Sequence, residues 1–263
     1  PPIPTRRGPI VSPSRENPYI PYIITPRATL LRTDQPTLRW NGAIGADIFT
    51  VQVRGRELNW TEKFSREQVC QENICEAVYS GYPPLQSGIW YKLIISTDTN
   101  KSSTEDSTLG LGFKLIDQDE ADKIKKITQR IQKENLPKET KALLLARRYA
   151  DYNLIAGAIE ILEELTKHEK IATVDRLLGD LYRQIGLVLE AEVSYVEAVE
   201  LAETSKNLDE LAAAKAGLGE VKYARNNIEE GINLLEEAKK IYENLGDQQR
   251  VSKLEEQLEI LKP

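Results

Sequence analysis

A chain of 263 residues with 40% apolar and 29% charged side chains is long enough for two globular units, each with its own core. Its longest uninterrupted apolar run is Ala142–Ala146, far short of a membrane-spanning helix. The net charge of −6 conceals an asymmetry. Residues 1–116 carry 13 Lys/Arg against 11 Asp/Glu, and residues 117–263 carry 22 against 30, so the C-terminal half repels phosphate backbones and nucleic acid is not an expected partner.

Eight of the 13 prolines fall within residues 1–26, beginning with P-P-I-P. Proline fixes φ and removes a donor, so residues 1–19 read as an extended arm or linker. The scattered Arg6, Arg7, Arg15, Arg27, Arg32 and Arg39 read as solvated, solubilising charges, with contact to an anionic surface as the alternative. No methionine occurs, even at position 1, which reads as a chain begun after a cleaved signal peptide or by trimming.

From residue 20 to 116 short β-type runs alternate with turn residues. Strands are expected at Tyr22–Thr25, Thr37–Trp40, Asp47–Val53, Glu76–Tyr79, Trp90–Ser96 and Leu109–Ile116, with period-2 alternation clearest in Phe49/Val51/Val53 and Tyr91/Leu93/Ile95. Roughly seven short strands at this spacing suggest an antiparallel β-sandwich. Trp40 and Trp90 are expected in its core, with a stacking platform for sugars or bases as the rival reading of the Trp residues, and Trp60 with the polar loop 97–108 is the rival site for an enzyme or a carbohydrate-binding module. P36-T-L-R-W40, the aromatic strand at Phe49 and L85-Q-S-G-I-W-Y91 resemble fibronectin type III and related immunoglobulin-like (Ig/FN3-like) sandwiches, with Leu85 and Tyr91 at the spacing of a tyrosine corner. Ser87 stands where that family often has Pro. The resemblance implies a spacer or interaction domain and no chemistry.

The two cysteines lie in V69-C-Q-E-N-I-C75. Four intervening residues and strand-like flanks do not fit a C-x-x-C redox motif. They fit a hairpin whose facing Cys70 and Cys75 close a disulfide, stabilising by about 2 kcal/mol at most and favouring an oxidising compartment. The single histidine, His168, falls in a turn between helices, distant in sequence from both cysteines, so neither zinc nor Cys-His chemistry is expected. No Walker-type, G-x-S-x-G or H-E-x-x-H motif occurs, and the acids of D117-Q-D-E-A-D122 suit a helix start better than a calcium loop. No enzyme, metal or cofactor is expected.

After Ile116 the pattern becomes helical, starting with D117 to K133, whose acids precede its bases. Three segments then superpose: A142-L-L-L-A-R-R-Y149 with Ala158, Leu162 and Leu165; L177-L-G-D-L-Y182 with Gly186, Ala191, Tyr195 and Ala198; L218-G-E-V-K-Y223 with Gly231, Leu235 and Ala238. Their small slots, Ala146, Gly179 and Gly219, are 33 and 40 residues apart. Each unit reads as a helical pair that buries its apolar face only by stacking on its neighbours. The second unit in particular resembles the tetratricopeptide repeat (TPR), over about residues 138–246, with 248–262 as a capping helix and 118–134 a candidate for the other end. Lys222 and Gly231 depart from that pattern.

The resemblance implies an all-α superhelix over residues 117–263 that binds a protein or peptide along a concave face built from the first helix of each pair. The candidate partner-binding residues on that phase are Arg147, Asp151, Arg176, Asp180, Arg183, Glu220 and Tyr223. The Lys and Asn residues of the carboxylate-clamp version are absent from these slots. The whole chain is thus expected to be a multidomain β + α scaffold, periplasmic or secreted, with a homo-oligomer left open. The order of its parts is similar to that of exported cyanobacterial proteins. The alternatives are a cytoplasmic TPR scaffold with reduced cysteines and the carbohydrate-binding module.

Overall fold

The computed structural model describes residues 17–106 and 111–261. Most of the proline-rich arm, and the start of the strand expected from Leu109, lie outside the described residues. The first part of the chain forms β1 (Ile23–Thr25), β2 (Thr29–Leu31), β3 (Thr37–Asn41), β4 (Ile48–Arg54), β5 (Asn59–Ser65), a one-turn helix α1 (Arg66–Val69), β6 (Cys70–Gln71), β7 (Ile74–Val78), β8 (Trp90–Thr97) and β9 (Phe113–Leu115). They assemble into a four-stranded sheet of order β1-β3-β7-β6 and a five-stranded sheet of order β2-β9-β8-β4-β5. The β2–β9 pair is parallel and the other pairs are antiparallel.

The two sheets share one core. Alternation turns Phe49, Val51 and Val53 of β4 and Tyr91, Leu93 and Ile95 of β8 inward, and all six are buried. Trp40 of β3 is fully buried and meets Phe49 edge-on, with ring centroids 5.7 Å apart. The Tyr91 hydroxyl accepts the backbone N–H of Gln86 at 2.7 Å, and the preceding Leu85 is buried. Trp90 departs from expectation: it is 59% exposed, because a strand that points Tyr91, Leu93 and Ile95 inward must turn Trp90 outward. Two strands escaped the sequence reading. β2 is three residues long, and β5 lies on a sheet edge where its inward Glu62 stays exposed and breaks the apolar alternation. Cys70 faces Cys75 across the β6–β7 hairpin with their sulfurs at disulfide bonding distance.

The helical part comprises α2 (Gln118–Lys133), α3 (Lys138–Asp151), α4 (Ile155–Thr166), α5 (Ala172–Gln184), α6 (Val188–Thr204), α7 (Leu208–Ala224), α8 (Ile228–Leu245) and α9 (Gln248–Leu261). The Asp117 carboxylate caps α2 by accepting the Glu120 N–H at 2.8 Å. The pairs α3–α4, α5–α6 and α7–α8 are closed by the same turn. Its middle residue is left-handed, with φ of 57° at Asn153, 77° at Gly186 and 70° at Asn226, and glycine and asparagine tolerate that conformation best. The next residue bonds back to the helix each time: Leu154 to Tyr149 and Leu187 to Tyr182 at 2.8 Å, Asn227 to Lys222 at 2.9 Å. These turns recur at the same 33- and 40-residue offsets as the small slots. The added length of the 40-residue offset lies in α6 and α7, which run 17 residues each against 12 and 13 in α4 and α5. A Cβ on either Gly219 or Gly231 would stand 2.8 Å from the other's carbonyl oxygen, so α7 and α8 cross backbone to backbone. At the end of the array α9 buries Val251, Leu254 and Leu258 with Leu235 and Tyr242 of α8.

Sheets and helices pack into one body. Arg27, expected in solvent, is 1% exposed. Its Nε donates to the Ile185 carbonyl in the α5–α6 turn at 2.7 Å, and its Nη1 donates to the Ile23 carbonyl at 3.2 Å and to Asp106 at 2.9 Å. The Leu30 N–H bonds the Asn153 carbonyl of the α3–α4 turn at 2.8 Å, and the Ala156 N–H bonds the Thr29 hydroxyl at 3.1 Å. Arg39 of β3 pairs with Glu163 of α4 at 2.7 Å, and Glu163 also accepts the Tyr182 hydroxyl. Burial alone would lower the Arg39 pKa, but Glu163 outweighs it and raises it. Ile24 and Ile116 join the helical core, and Ala156 joins the sheet core.

Arg27→Ala removes the buried ion pair with Asp106 and the bond to the Ile185 carbonyl and is expected to cost about 3–5 kcal/mol, whereas Arg27→Lys, which keeps a positive charge beside Asp106, should cost less. Urea titrations read both, and a loss under about 1 kcal/mol for Arg27→Ala would remove the pair from this role.

Candidate functional site

The first helices of successive pairs are joined along one side by a continuous chain of polar contacts. Arg176 of α5 donates from Nε to Glu210 of α7 at 2.5 Å and from Nη1 to Asp180 at 2.7 Å. The second oxygen of Asp180 accepts the Tyr195 hydroxyl of α6 at 2.6 Å. That hydroxyl accepts from Arg183 Nε at 3.2 Å, and Arg183 also forms an ion pair with Glu220 of α7. Glu220 accepts from Gln257 of α9 at 3.0 Å. Two guanidiniums thus sit among three carboxylates, leaving the row with an excess of negative charge. Burial works against the charge of Arg176 and Arg183, yet Asp180, Glu210, Glu220 and the Tyr195 oxygen outweigh it and raise both pKa values.

Tyr195 organises this row from behind. Its ring lies between Gly179 of α5 and Gly217 of α7. A Cβ on Gly179 would come within 2.8 Å of the ring, and one on Gly217 would collide with it. Burial, reinforced by Asp180, pushes the Tyr195 phenol well above its ordinary range, so it stays a neutral donor. Two glycines in the middle of helices are unfavourable by propensity. Here they admit an aromatic ring whose tip holds Asp180 and Arg183 in place.

The structure brings together four of the seven candidates: Arg176, Asp180, Arg183 and Glu220. Arg147 is exposed and makes no ion pair among the described residues. Asp151 pairs with Arg148 of its own helix at 3.1 Å, and Tyr223 is half-buried beside Gly231. Glu210 and Gln257 were missed for a geometric reason. The N-terminal extension of α7 that carries Glu210 goes beyond the length of the earlier first helices, and Gln257 comes from a helix outside the repeats. Elsewhere, Trp60 is inward-facing, half-buried and edge-on to Tyr79 at 5.2 Å, so it offers no open platform. In the 97–106 segment Ser103 and the Asp106 carboxylate are buried. The His168 ring is exposed and meets Glu164 of α4 at 3.2 Å. Among the described residues no three His, Cys, Asp or Glu side chains gather to hold a metal, and no helix is long and apolar enough to cross a membrane.

No protein-family model and no curated protein matches the chain. Solved structures do. BtubC (BKLC) from P. vanneervenii is 17% identical over 55% of this chain and 72% of its own, with a TM-score of 0.38. A putative kinesin light chain from Podosopora anserina with nearly identical TPR-like repeats is 19% identical over 55% of this chain and 86% of its own, with a TM-score of 0.37. MamA is 19% identical over 55% of this chain and 88% of its own, also at 0.37.

Tyr195→Phe leaves Asp180 and Arg183 short of a partner and is expected to cost about 1–3 kcal/mol in a urea titration. Asp175, in the first turn of α5, is 6% exposed with one carboxylate oxygen lacking a partner among the described residues. Burial pushes its pKa up to about 6 from 3.8, against the attraction of Lys170 and with the repulsion of Glu197. The folded chain therefore holds a proton that the unfolded chain has released, and stability falls as pH rises from about 4 through 6. Asp175→Asn is expected to gain about 1–2 kcal/mol at pH 8 and almost nothing at pH 4, read by urea titration at both values.

Proposed function

We propose that this protein is a non-enzymatic interaction scaffold whose TPR-like first-helix row binds a segment of a partner protein. The observation that carries the proposal is the line Glu210–Arg176–Asp180–Tyr195–Arg183–Glu220–Gln257, which crosses the first helices α5 and α7, the capping helix α9 and the side of α6. Such a row holds donors and acceptors at fixed positions, so a bound segment meets a preorganised surface with little ordering cost. Its surplus carboxylate favours a segment carrying Lys or Arg. Arg147, Asp151 and Tyr223 extend the surface without belonging to the network.

The strand region is proposed to be an Ig/FN3-like sandwich that positions the repeats, a reading supported by its strand order, the buried Trp40 and the Tyr91 hydroxyl on the Gln86 N–H. The division is proposed as an arm at 1–19, the sandwich at 20–116 and the repeats with their caps at 117–263. The Cys70–Cys75 bridge supports a periplasmic or secreted setting, since disulfides persist where thiols are not kept reduced.

Cross-linked capture with the full chain from source extract tests the surface. Arg176 and Arg183 are poor probes because reversing them breaks internal ion pairs. Asp151→Lys and Tyr223→Ala leave the network intact and are expected to lose the partner retained by wild type and by the α8 variant Lys240→Glu. An identical partner set for all four proteins would sink the assignment.

A further inference from the structure

The outer face of the five-stranded sheet has a composition that the fold does not require. Alternation and register place Ile48, Thr50, Gln52 and Arg54 of β4 on it, beside Asn59, Thr61, Lys63 and Ser65 of β5. On the other side lie Trp90, Lys92, Ile94 and Ser96 of β8, then Lys114 of β9. None of these positions carries a carboxylate, while four carry a fixed positive charge. Arg54 and Lys92 stand directly opposite one another on neighbouring strands, an arrangement that destabilises a sheet unless an anion lies between them. Lys114 is opposite Trp90, one step along the same face. Arg54, Lys63, Lys92 and Lys114 make no ion pair among the described residues, and only Lys114 is as much as half-buried. The turn between β4 and β5 adds Arg56 and Glu57, which cancel.

Trp90 is the second observation. It is 59% exposed, and its benzene end lies against Gly112, where a Cβ would come within 3.3 Å of the ring. An indole held down on one side and open on the other, flanked by cations, offers an apolar surface beside an anion site. The backbone groups of β4 and β8 are paired to strands on both sides, so around Arg54, Trp90 and Lys92 there is no sheet edge to lend to a peptide, the free edge lying a strand away on β5. Recognition here must use charge and the aromatic ring alone.

From this juxtaposition we propose that the outer sheet face binds an acidic polysaccharide, a linear chain of sugars bearing carboxylate or sulfate groups. The anionic groups lie over Arg54, Lys92 and Lys114, and the apolar face of a sugar ring stacks on Trp90. A second copy of the chain is a weaker fit, because carboxylates on its acidic helices such as Glu192, Glu197 and Glu237 are already ion-paired with Lys or Arg of their own chain. The site is independent of the first-helix row and goes beyond the scaffold reading.

Native electrophoresis of the full chain in gels containing polygalacturonate, heparin or neutral dextran tests it. Retardation is expected in at least one acidic gel and not in dextran. It should weaken about tenfold or more in Arg54→Glu/Lys92→Glu, weaken with added salt, and fall about tenfold in Trp90→Ala. Lys125→Glu/Lys126→Glu on α2 should retain binding and so controls for general charge. All three variants alter exposed side chains, and circular dichroism checks their folding; if Trp90→Ala does not fold, the double charge reversal carries the test. The proposal is overturned by no retardation in either acidic gel, by equal retardation in dextran, or by an equal loss in the α2 variant. It is also overturned if Arg54→Glu/Lys92→Glu instead abolishes binding to phosphatidylglycerol vesicles or self-association seen by sedimentation.

Discussion

A guanidinium cannot be buried alone, and this requirement joins the two halves of the molecule. Arg27 lies just after β1 with its charge sealed from water, and its hydrogen bonds reach a strand carbonyl, the Asp106 carboxylate and the carbonyl that ends α5. Each of those partners comes from a different part of the chain, so the site exists only when the sheets and the first two helical pairs are docked. The surrounding contacts follow the same line. Thr29 and Leu30 bond the α3–α4 turn, and Arg39 reaches Glu163. Relative motion of independent domains is the default for linked units. Here the Leu30–Asn153 backbone hydrogen bond, the Arg27–Ile185 bond, the Arg39–Glu163 ion pair and shared core residues oppose it.

Rigid docking matters for the candidate site because the repeats have few layers. A short stack of helical pairs leaves its first pair with an uncovered side, and β1, β2 and β3 cover part of it. The array then propagates through similar turns at Asn153, Gly186 and Asn226, each left-handed and each closed by the same backbone bond. Tyr195 between Gly179 and Gly217 is where this packing becomes surface chemistry. The ring fills the gap between α5 and α7, and its hydroxyl orders the charges on the outer side of those helices. The same residue therefore serves the stack and the polar row.

The molecule presents two faces of opposite electrostatic character. The helical row carries surplus carboxylate, while the outer sheet face carries Arg54, Lys63, Lys92 and Lys114 with no acid among them. Because the body between them is braced at Arg27 and Arg39, ligands on the two faces would be held at a fixed separation.

Local rules carried much of the architecture. The period of the small slots, the α2 cap at Asp117, the inward trio Tyr91/Leu93/Ile95 and the Cys70–Cys75 hairpin follow from spacing, capping and turn chemistry, which act over a few residues and so can be read from the chain alone. Trp90 was legible too, since the alternation that buries Tyr91 exposes its neighbour, but hydrophobicity pulled the reading toward the core. What only the tertiary structure decided are relations across long separations. Arg27 is an ordinary surface residue by composition and becomes the most deeply buried charge among the described residues once Ile185 and Asp106 close around it. Glu210 and Gln257 enter the candidate site because an extended helix and a capping helix bring them there. Periodicity reports which face a residue occupies; which partner waits on the neighbouring element depends on helix lengths and docking angles that no local pattern encodes.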